Sequence, residues 1–265
     1  MTSIALRISN LRVTEDHKTV LSVDEASISD GEIVTIMGPN GAGKSTFLRT
    51  CQGMQQRVCG EVFVFGQRLD VLSYSEITRL RRSIGYIPQH LPSRSELPLT
   101  VREVAAIGRT GLAGLFRPLN TNDWQIVDDW LARLGIAALA QRGFGEISGG
   151  EQRKVMIARS MIQQPRLLLL DEPTANLDMG WRERIVETIQ SVYEQTKLTV
   201  VLVCHELEVL PACCKRVILL DQGRVIATGN PEDVFTDKQV TALYGCGLSV
   251  LHQNGRHAVI PQGGR

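Results

Sequence analysis

Residues 38–46 read GPNGAGKST and fit the pattern G-x-x-x-x-G-K-[ST], between a predicted buried strand and a predicted helix. Glycines at this spacing let the backbone fold tightly and point its N–H groups inward at phosphate oxygens. The N-terminus of the following helix adds the positive end of its dipole. We therefore expect Lys44 to reach the β- and γ-phosphates of a nucleotide and the Ser45 hydroxyl to ligate Mg²⁺. The predicted phosphate-binding residues are Gly38, Pro39, Asn40, Gly41, Ala42, Gly43, Lys44, Ser45 and Thr46.

Two neighbouring acids follow another predicted strand. Residues 166–173 read RLLLLDEP, in which four leucines indicate a buried strand and Pro173 marks a turn. Asp171, at the carboxyl end of the strand, suits a Mg²⁺ ligand. Glu172 points in a different direction, so we expect it to approach the γ-phosphate and to deprotonate an attacking water. By itself a strand-end glutamate is as often a surface residue, and it is the complete phosphate loop that favours the catalytic interpretation.

A second anion cradle is predicted much later in the chain. Ser148, Gly149 and Gly150 precede a predicted helix at 151–162, where they offer a hydroxyl and closely spaced backbone N–H groups. Glu151 places a negative charge beside this cradle, although the helix dipole also favours an acid in the first turn. The sequence therefore raises the question of why one chain carries two phosphate cradles.

The surrounding pattern predicts an α/β fold with a largely parallel sheet, because strands alternate with helices. Apolar runs predict strands at 4–13, 20–29, 31–38, 60–66, 83–89, 166–171, 198–204 and 216–221. Helices are predicted at 75–82 with Ser75 as N-cap, at 151–162, at 179–196 and at 206–214. Residues 90–146 predict a helical insert, in which one helix face is formed by Val127, Trp130, Leu131 and Leu134.

The tail carries a hairpin signal. Residues 249–260 read SVLHQNGRHAVI, with Asn254-Gly255 at the turn, which places His252 opposite His257. A metal site formed by this pair, with Cys246 as a third ligand, is one interpretation. Since zinc sites normally use three or four protein ligands, the stronger expectation is an ordinary exposed strand pair.

Composition limits the class of protein. The 265 residues include 29 Lys and Arg against 28 Asp and Glu, a net charge of +1, which gives no electrostatic case for a nucleic-acid partner. The six cysteines lack metal-site spacing, and we expect reduced thiols in the cytosol. No apolar run reaches the length of a membrane span, and the first residues, MTSIALRISN, lack the apolar segment of a signal peptide. A role in transport would therefore require another chain to cross the bilayer.

Together the motifs resemble the nucleotide-binding subunit of ATP-binding cassette (ABC) transporters, over about residues 4–235. GPNGAGKST is similar to the Walker A motif, ISGGE to the signature motif and LLLLDEP to Walker B. Gln89 in YIPQH is similar to the Q-loop glutamine, NLD at 176–178 to the D-loop, and His205 in VCHE to the switch histidine. Walker A alone indicates only a P-loop NTPase, whereas SGGE just before Walker B is a far more specific sign of this family.

The resemblance implies an α/β P-loop NTPase fold, with an ABC-type ATPase core, an antiparallel β subdomain and an inserted α-helical subdomain. It implies ATP and Mg²⁺ as cofactors. The implied divisions are 1–89 (first part of the core, with the β subdomain and P-loop), 90–146 (helical subdomain), 147–235 (second part of the core) and 236–265 (tail with the hairpin).

The resemblance also answers the question of the two cradles. In this family two subunits pack head to tail with two ATP molecules between them, so the second cradle binds the partner's γ-phosphate. The residues implied to act there are Ser148, Gly149, Gly150, Glu151 and Asp178. The implied catalytic residues are Lys44, Gln89, Glu172 and His205, and the implied metal-binding residues are Ser45, Gln89 and Asp171.

The implied partners are a second copy of the chain, integral-membrane permease subunits that contact the insert 90–146, and a substrate-binding protein, with no nucleic acid. The implied location is peripheral, at the cytoplasmic face of the cell membrane. Residues 99–109 (LTVREVAAIGR) and 229–235 (GNPEDVF) resemble importers of iron–siderophore complexes, cobalamin and other metal chelates. The tail is too short for the regulatory β-domain of sugar importers. Exporters with separate membrane subunits, and a soluble non-transport ABC ATPase such as those of iron–sulfur cluster assembly, stay open as alternatives.

Three positions depart from the family pattern. The signature begins with Ile147 in place of leucine and ends with Glu151 in place of glutamine. Glu15 stands where relatives carry an aromatic residue that stacks on adenine, and His17, which is nearby, is expected to be a surface residue.

Overall fold

The computed structural model describes residues 3–55, 58–90, 99–114 and 117–262, which include one ten-stranded sheet. Its strands are β1 (Ile4–Glu15), β2 (Lys18–Ser29), β3 (Ile33–Met37), β4 (Val58–Val64), β5 (Gln67–Arg68), β6 (Ile84–Ile87), β7 (Leu167–Asp171), β8 (Thr199–Cys204), β9 (Arg216–Asp221) and β10 (Arg224–Gly229). Their order across the sheet is β5-β4-β1-β2-β10-β9-β3-β8-β7-β6.

The sheet has a parallel half and an antiparallel half. Strands β6, β7, β8, β3 and β9 run parallel, and every residue of β3, β7 and β8 is buried, as continuous apolar runs predict. Strands β1, β2, β4 and β5 pair antiparallel. The expectation of a largely parallel sheet is therefore wrong for this half, because a tight turn at Asp16 and His17, both with positive φ, joins β1 directly to β2. The α/β class, with its antiparallel β portion, is confirmed.

Eight α-helices are described. They are α1 (Lys44–Cys51), α2 (Tyr74–Arg81), α3 (Val101–Ala113), α4 (Thr121–Arg133), α5 (Gly149–Ile162), α6 (Met179–Thr196), α7 (Pro231–Val234) and α8 (Asp237–Tyr244). The predicted N-cap Ser75 is wrong, since Ser73 caps α2 through a capping box with Glu76. The spacing S-x-x-E selects Ser73. The predicted helix at 206–214 is also wrong: only a short 3-10 turn forms at Leu207–Val209, and Pro211 cannot continue a helix.

Helices α3 and α4 lie within the predicted insert and pack on α5. The predicted apolar face is confirmed, because Val127, Trp130, Leu131 and Leu134 are all buried in the main apolar cluster. The beginning of the predicted helical stretch, residues 91–98, lies outside the described residues. The division of the chain into four segments stays a prediction.

The tail forms the predicted hairpin from β11 (Leu248–Gln253) and β12 (Arg256–Pro261), with His252 paired to His257. Asn254 and Gly255 both have positive φ, 50° and 73°, as the preferred two-residue turn requires. The expectation of an exposed pair is wrong for His257, which is 5% exposed. Its Nδ1 lies 2.7 Å from the Nδ1 of His252, so the two imidazole rings share a hydrogen bond. No group of three metal-ligating side chains occurs among the described residues.

All six cysteines are free. Within the described parts of the chain, no helix combines the length and the apolar character that a bilayer crossing requires.

Candidate active site

The phosphate loop connects buried β3 to α1. Gly43 is the N-cap of α1 with φ +96°, and an added Cβ would lie 2.9 Å from the Val20 carbonyl oxygen. Only glycine therefore fits this position without displacing the neighbouring strand. The buried Lys44 donates through Nζ to the carbonyl oxygens of Gly38 at 2.8 Å and Pro39 at 3.0 Å. The loop thus wraps around its own lysine.

Asp171 lies beside the first turn of α1. The Ser45 hydroxyl donates to Oδ1 of Asp171 at 3.0 Å, and the Tyr86 hydroxyl donates to Oδ2 at 3.4 Å. Burial raises the pKa of Asp171 above its usual range. A hydroxyl and a carboxylate side by side supply the hard oxygen ligands that Mg²⁺ prefers, so these residues fit the predicted ion. Sequence reasoning missed Tyr86, which reaches the site because β6 pairs with β7.

Glu172 brings three of the predicted residues together. Gln89 donates through Nε2 to its Oε2 at 2.8 Å, and Nζ of Lys44 lies 3.5 Å from its Oε1. The Nδ1 of His205 lies 3.3 Å from Oε2, but without the alignment of a hydrogen bond. Glu172 is buried and has φ +46°, an uncommon conformation for a non-glycine residue that is typical of functional sites.

A cavity of about 690 Å³ opens above this cluster. Its lining residues are Glu15, Val20, Asn40, Gly41, Gly43, Lys44, Ser45, Thr46, Gln89, His90, Glu172, Ala175, Asn176, Arg182, His205 and Glu206. Sequence reasoning missed Arg182 and Glu206, which form an ion pair at 2.5 Å. The position of Glu206 next to His205 was a signal that could have identified it, whereas nothing in the sequence places Arg182 at this cavity.

The second cradle lies outside the cavity. Ser148 is the N-cap of α5, and its exposed hydroxyl donates to Oε2 of Glu151 at 2.7 Å within a capping box. The box also holds the Ser148 N–H, at 2.8 Å from the same oxygen. A side chain at Gly150 would overlap the ring of Trp181, so glycine is required for this close approach of α5 and α6. Asp178 caps α6 by accepting from the Trp181 N–H at 3.0 Å.

The structure therefore divides the predicted site residues into two groups. Lys44, Ser45, Gln89, Glu172 and His205 meet at one cavity, with Asp171 bonded to Ser45. The residues that do not line that cavity include Ser148, Gly149, Gly150, Glu151 and Asp178. No tyrosine, phenylalanine or tryptophan lines the cavity among the described residues, and Glu15, at the expected stacking position, instead accepts from Gln55 at 2.6 Å.

The sequence and fold match known proteins. Residues 21–175 match the family model described as ABC transporter. A probable metal transport system ATP-binding protein of Chlamydia trachomatis is 32% identical over 249 residues, which cover 94% of this chain and 92% of the relative. The hemin import ATP-binding protein HmuV of Escherichia coli O157:H7 is 34% identical over 235 residues, which cover 86% of this chain and 87% of the relative.

A solved structure shares the fold. It is a dimeric, post-hydrolysis state of an ATP-binding cassette bound to ADP and Pi, with a TM-score of 0.72 and 28% identity, covering 85% of this chain and 98% of that chain. The family model spans more than half of the described chain, and the two relatives align with most of it. This chain belongs to the ABC transporter family and is an ATP-binding cassette ATPase.

Proposed function

We propose that two copies of this ATPase close around two ATP molecules and energise a separate membrane permease. We further propose that the permease imports a metal-containing cargo, such as an iron–siderophore complex or another metal chelate. The relatives named for metal transport and hemin import support this cargo class, because they align with most of the chain.

One observation carries the proposal of a dimer. Ser148 and Gly149 are exposed at the N-terminus of α5, yet they do not line the cavity that contains Lys44. A helix N-terminus with free N–H groups is an anion site, and the phosphate that fits this one comes from a second copy. Binding energy shared across two subunits favours the closed pair, and loss of the γ-phosphate on hydrolysis releases it. The related dimeric structure with ADP and Pi supports this arrangement.

The roles of the residues at the cavity follow from their contacts. Glu172 is the general base, since its carboxylate lies where Lys44, Gln89 and His205 converge. Lys44 holds the β- and γ-phosphates. When it binds them, its Nζ gives up its hydrogen bonds to the carbonyl oxygens of Gly38 and Pro39. His205 contacts the γ-phosphate, and Gln89 orients the attacking water. In the closed dimer, Asp178 and Glu151 lie beside the nucleotide that is bound to the partner.

Ser45 and Asp171 are the proposed Mg²⁺ ligands, and Gln89 is the proposed third contact to the ion. The ion neutralises charge on the phosphates when it is bound. The existing bond between Ser45 and Asp171 keeps both oxygens close together, so little rearrangement of the chain is required.

The proposed partners follow from the class. The permease contacts the insert 90–146, and a substrate-binding protein delivers the cargo on the other side of the membrane. The chain then works at the cytoplasmic face of the membrane, peripheral to it. We propose that the insert is coupled to the site through α5, on which α3 and α4 pack. Buried Arg153 of α5 donates to the carbonyl oxygens of Pro88 at 2.8 Å and Gln89 at 3.0 Å.

The dimer is tested with Glu172→Gln, which keeps the shape of the side chain and removes the base. With Mg·ATP this variant should elute as a dimer in size-exclusion chromatography, and the double variant with Lys44→Ala should elute as a monomer. A Glu172→Gln chain that stays monomeric at saturating Mg·ATP would contradict the proposal.

The transport role is tested by purification of the chain from membranes of the source cells. We expect an integral-membrane permease to co-purify in stoichiometric amount, and its transport activity to require Mg·ATP and Glu172. A chain that hydrolyses ATP but is found only with soluble proteins would favour the non-transport alternative.

A further inference from the structure

The C-terminal tail reaches the predicted switch histidine. Tyr244, the last residue of α8, donates through its hydroxyl to the backbone carbonyl oxygen of His205 at 2.8 Å. The ring of Tyr244 is half-buried against the main apolar cluster. Burial raises the pKa of Tyr244 to about 12, so the hydroxyl keeps its proton and stays a donor at neutral pH.

The bond from Tyr244 holds the backbone carbonyl of His205 in its orientation. His205 follows Cys204, the last residue of β8, and precedes the 3-10 turn at Leu207–Val209. Among the described residues, no other hydrogen-bond donor contacts this carbonyl. The carbonyl and the imidazole branch from the same Cα, and the peptide unit is planar. Fixing the carbonyl therefore restricts the direction of the ring, whose Nδ1 lies 3.3 Å from Glu172.

The hairpin holds α8 in place. The Thr241 hydroxyl accepts from the Leu248 N–H at 3.0 Å, and Asp237 accepts from the Val250 N–H at 2.7 Å. The first residue of α8 and the middle of the helix are thus bonded to β11. The position of Tyr244 is set by the folded tail as a whole, because an eight-residue helix is marginal without such contacts.

The same hairpin also contacts the far end of residues 205–209, which run from the predicted switch histidine through the 3-10 turn and are called the switch segment below. Val259 donates its N–H to Oε1 of Glu208 at 3.1 Å, and Arg256 donates to the Glu208 carbonyl oxygen at 3.1 Å. Arg256 further pairs with Glu183 of α6 at 2.6 Å. The tail is therefore hydrogen-bonded to the segment after β8 at His205 and at Glu208, and Arg256 links this segment to α6.

We propose that Tyr244 is a positioning residue for ATP hydrolysis, which fixes the backbone of His205 and through it the imidazole beside Glu172. This inference rests on the proposed role of His205 in the reaction. Tyr244 does not line the cavity, so it acts on the reacting groups only through the switch segment.

The test compares Tyr244→Phe with a matched control in the purified full-length chain. Tyr193 of α6 donates to the carbonyl oxygen of Gly31 at 3.0 Å, a bond of the same type that lies outside the cavity. Both variants lose one hydroxyl–carbonyl bond, so their thermal midpoints should fall by similar amounts. Only Tyr244→Phe should lower kcat for phosphate release from Mg·ATP, by about three- to tenfold, with KM within about twofold.

A second measurement separates positioning from a general structural effect. If Tyr244 acts through His205, adding Tyr244→Phe to His205→Ala should lower kcat no further, as a double-mutant cycle requires of coupled residues. Equal kcat for Tyr244→Phe and the wild type, or additive losses in the cycle, would overturn the inference while leaving the ATPase intact. Absence of ATP-dependent phosphate release by the wild type would instead overturn the proposed function, and with it the role of Tyr244.

Discussion

The side-chain amide of Gln89 donates to the carboxylate of Glu172 at 2.8 Å. The two residues follow β6 and β7, which are parallel neighbours, so their carboxyl ends meet at one edge of the sheet. The bond joins the loop that leads into the insert to the proposed general base. A movement of that loop therefore changes the surroundings of Glu172 directly.

Gln89→Ala tests this bond. A hydrogen bond to a charged group contributes more than a neutral one, so we expect kcat for ATP hydrolysis to fall by about ten- to a hundredfold. ATP affinity should change far less, because Lys44 and the loop 38–46 are the proposed phosphate-binding residues. Steady-state phosphate release and equilibrium ATP binding measure the two quantities.

Gln125 provides the control for this variant. It also donates an amide N–H to a carboxylate at 2.8 Å, that of Asp129 on the exposed side of α4. Gln125→Ala should leave kcat unchanged. Equal kcat in the two variants would show that the bond between Gln89 and Glu172 has no role in turnover.

Glu151→Gln tests the departure in the second cradle. The glutamine can keep the capping contact to Ser148, and the change removes a negative charge beside the proposed site of the partner's γ-phosphate. We expect ATP-driven dimerisation of the Glu172→Gln background to strengthen by about three- to tenfold, and the gain to shrink at high salt. Sedimentation at several ATP and salt concentrations measures this.

Glu103 is the matched control for the charge change. It forms the same type of capping box with Thr100, accepting from its N–H and its hydroxyl at 2.8 Å each. Glu103→Gln should leave dimerisation as it is. If Glu151→Gln weakens the dimer or has no effect, the charge at this position does not oppose the phosphate.

The strands and helices that position the site could be predicted from the sequence where neighbouring residues alone determine where they begin and end. Continuous apolar runs located β3, β7 and β8, of which β3 and β7 also have glycine or proline beside them. Helix α6 was predicted at the residues where it occurs, Met179–Thr196. The capping chemistry of Ser148 located α5. These signals are contained within a few neighbouring residues, and that is the range over which one sequence is informative.

The remaining contacts depend on which distant segments meet. Tyr86 reaches Asp171 because β6 lies next to β7, and Tyr244 reaches His205 because the tail folds back onto the switch segment. Neither pairing leaves a periodic signal in the sequence. The predicted helix at 206–214 failed for a local reason, since Pro211 outweighs the apolar pattern around it.

Glu15→Tyr tests the base end of the cavity. An aromatic ring at the expected stacking position should lower the Kd for ATP by about five- to 150-fold, because stacking on a base contributes on the order of 1–3 kcal/mol. Binding of tripolyphosphate, which has no base, should not change. Glu25→Tyr, on the exposed surface of β2, should alter neither affinity. If tripolyphosphate also binds more tightly, the new ring does not act by stacking on the base, and the prediction is wrong.

The histidine pair in the hairpin predicts how stability depends on pH. The Nε2 of His252 lies 3.0 Å from the Phe235 carbonyl oxygen, which can only accept, so this nitrogen carries a proton. In the neutral pair His257 then donates through Nδ1 to His252. Burial lowers the pKa of His257 below its ordinary value, and the charge of His252 lowers it further, as Arg256 and Lys215 do, while Glu232 has the opposite effect.

A lowered pKa in the folded state means that the unfolded chain binds the proton more readily. The contribution to stability is therefore complete above the ordinary histidine pKa of 6.5 and is lost as the pH falls from that value towards the folded pKa. We expect the thermal midpoint to fall between about pH 7.5 and pH 5.5. His257→Gln should reduce this fall, whereas His17→Gln, in the exposed turn between β1 and β2, should preserve it. An undiminished fall in His257→Gln would assign the pH dependence to other groups, because the one buried imidazole of the pair would then be absent.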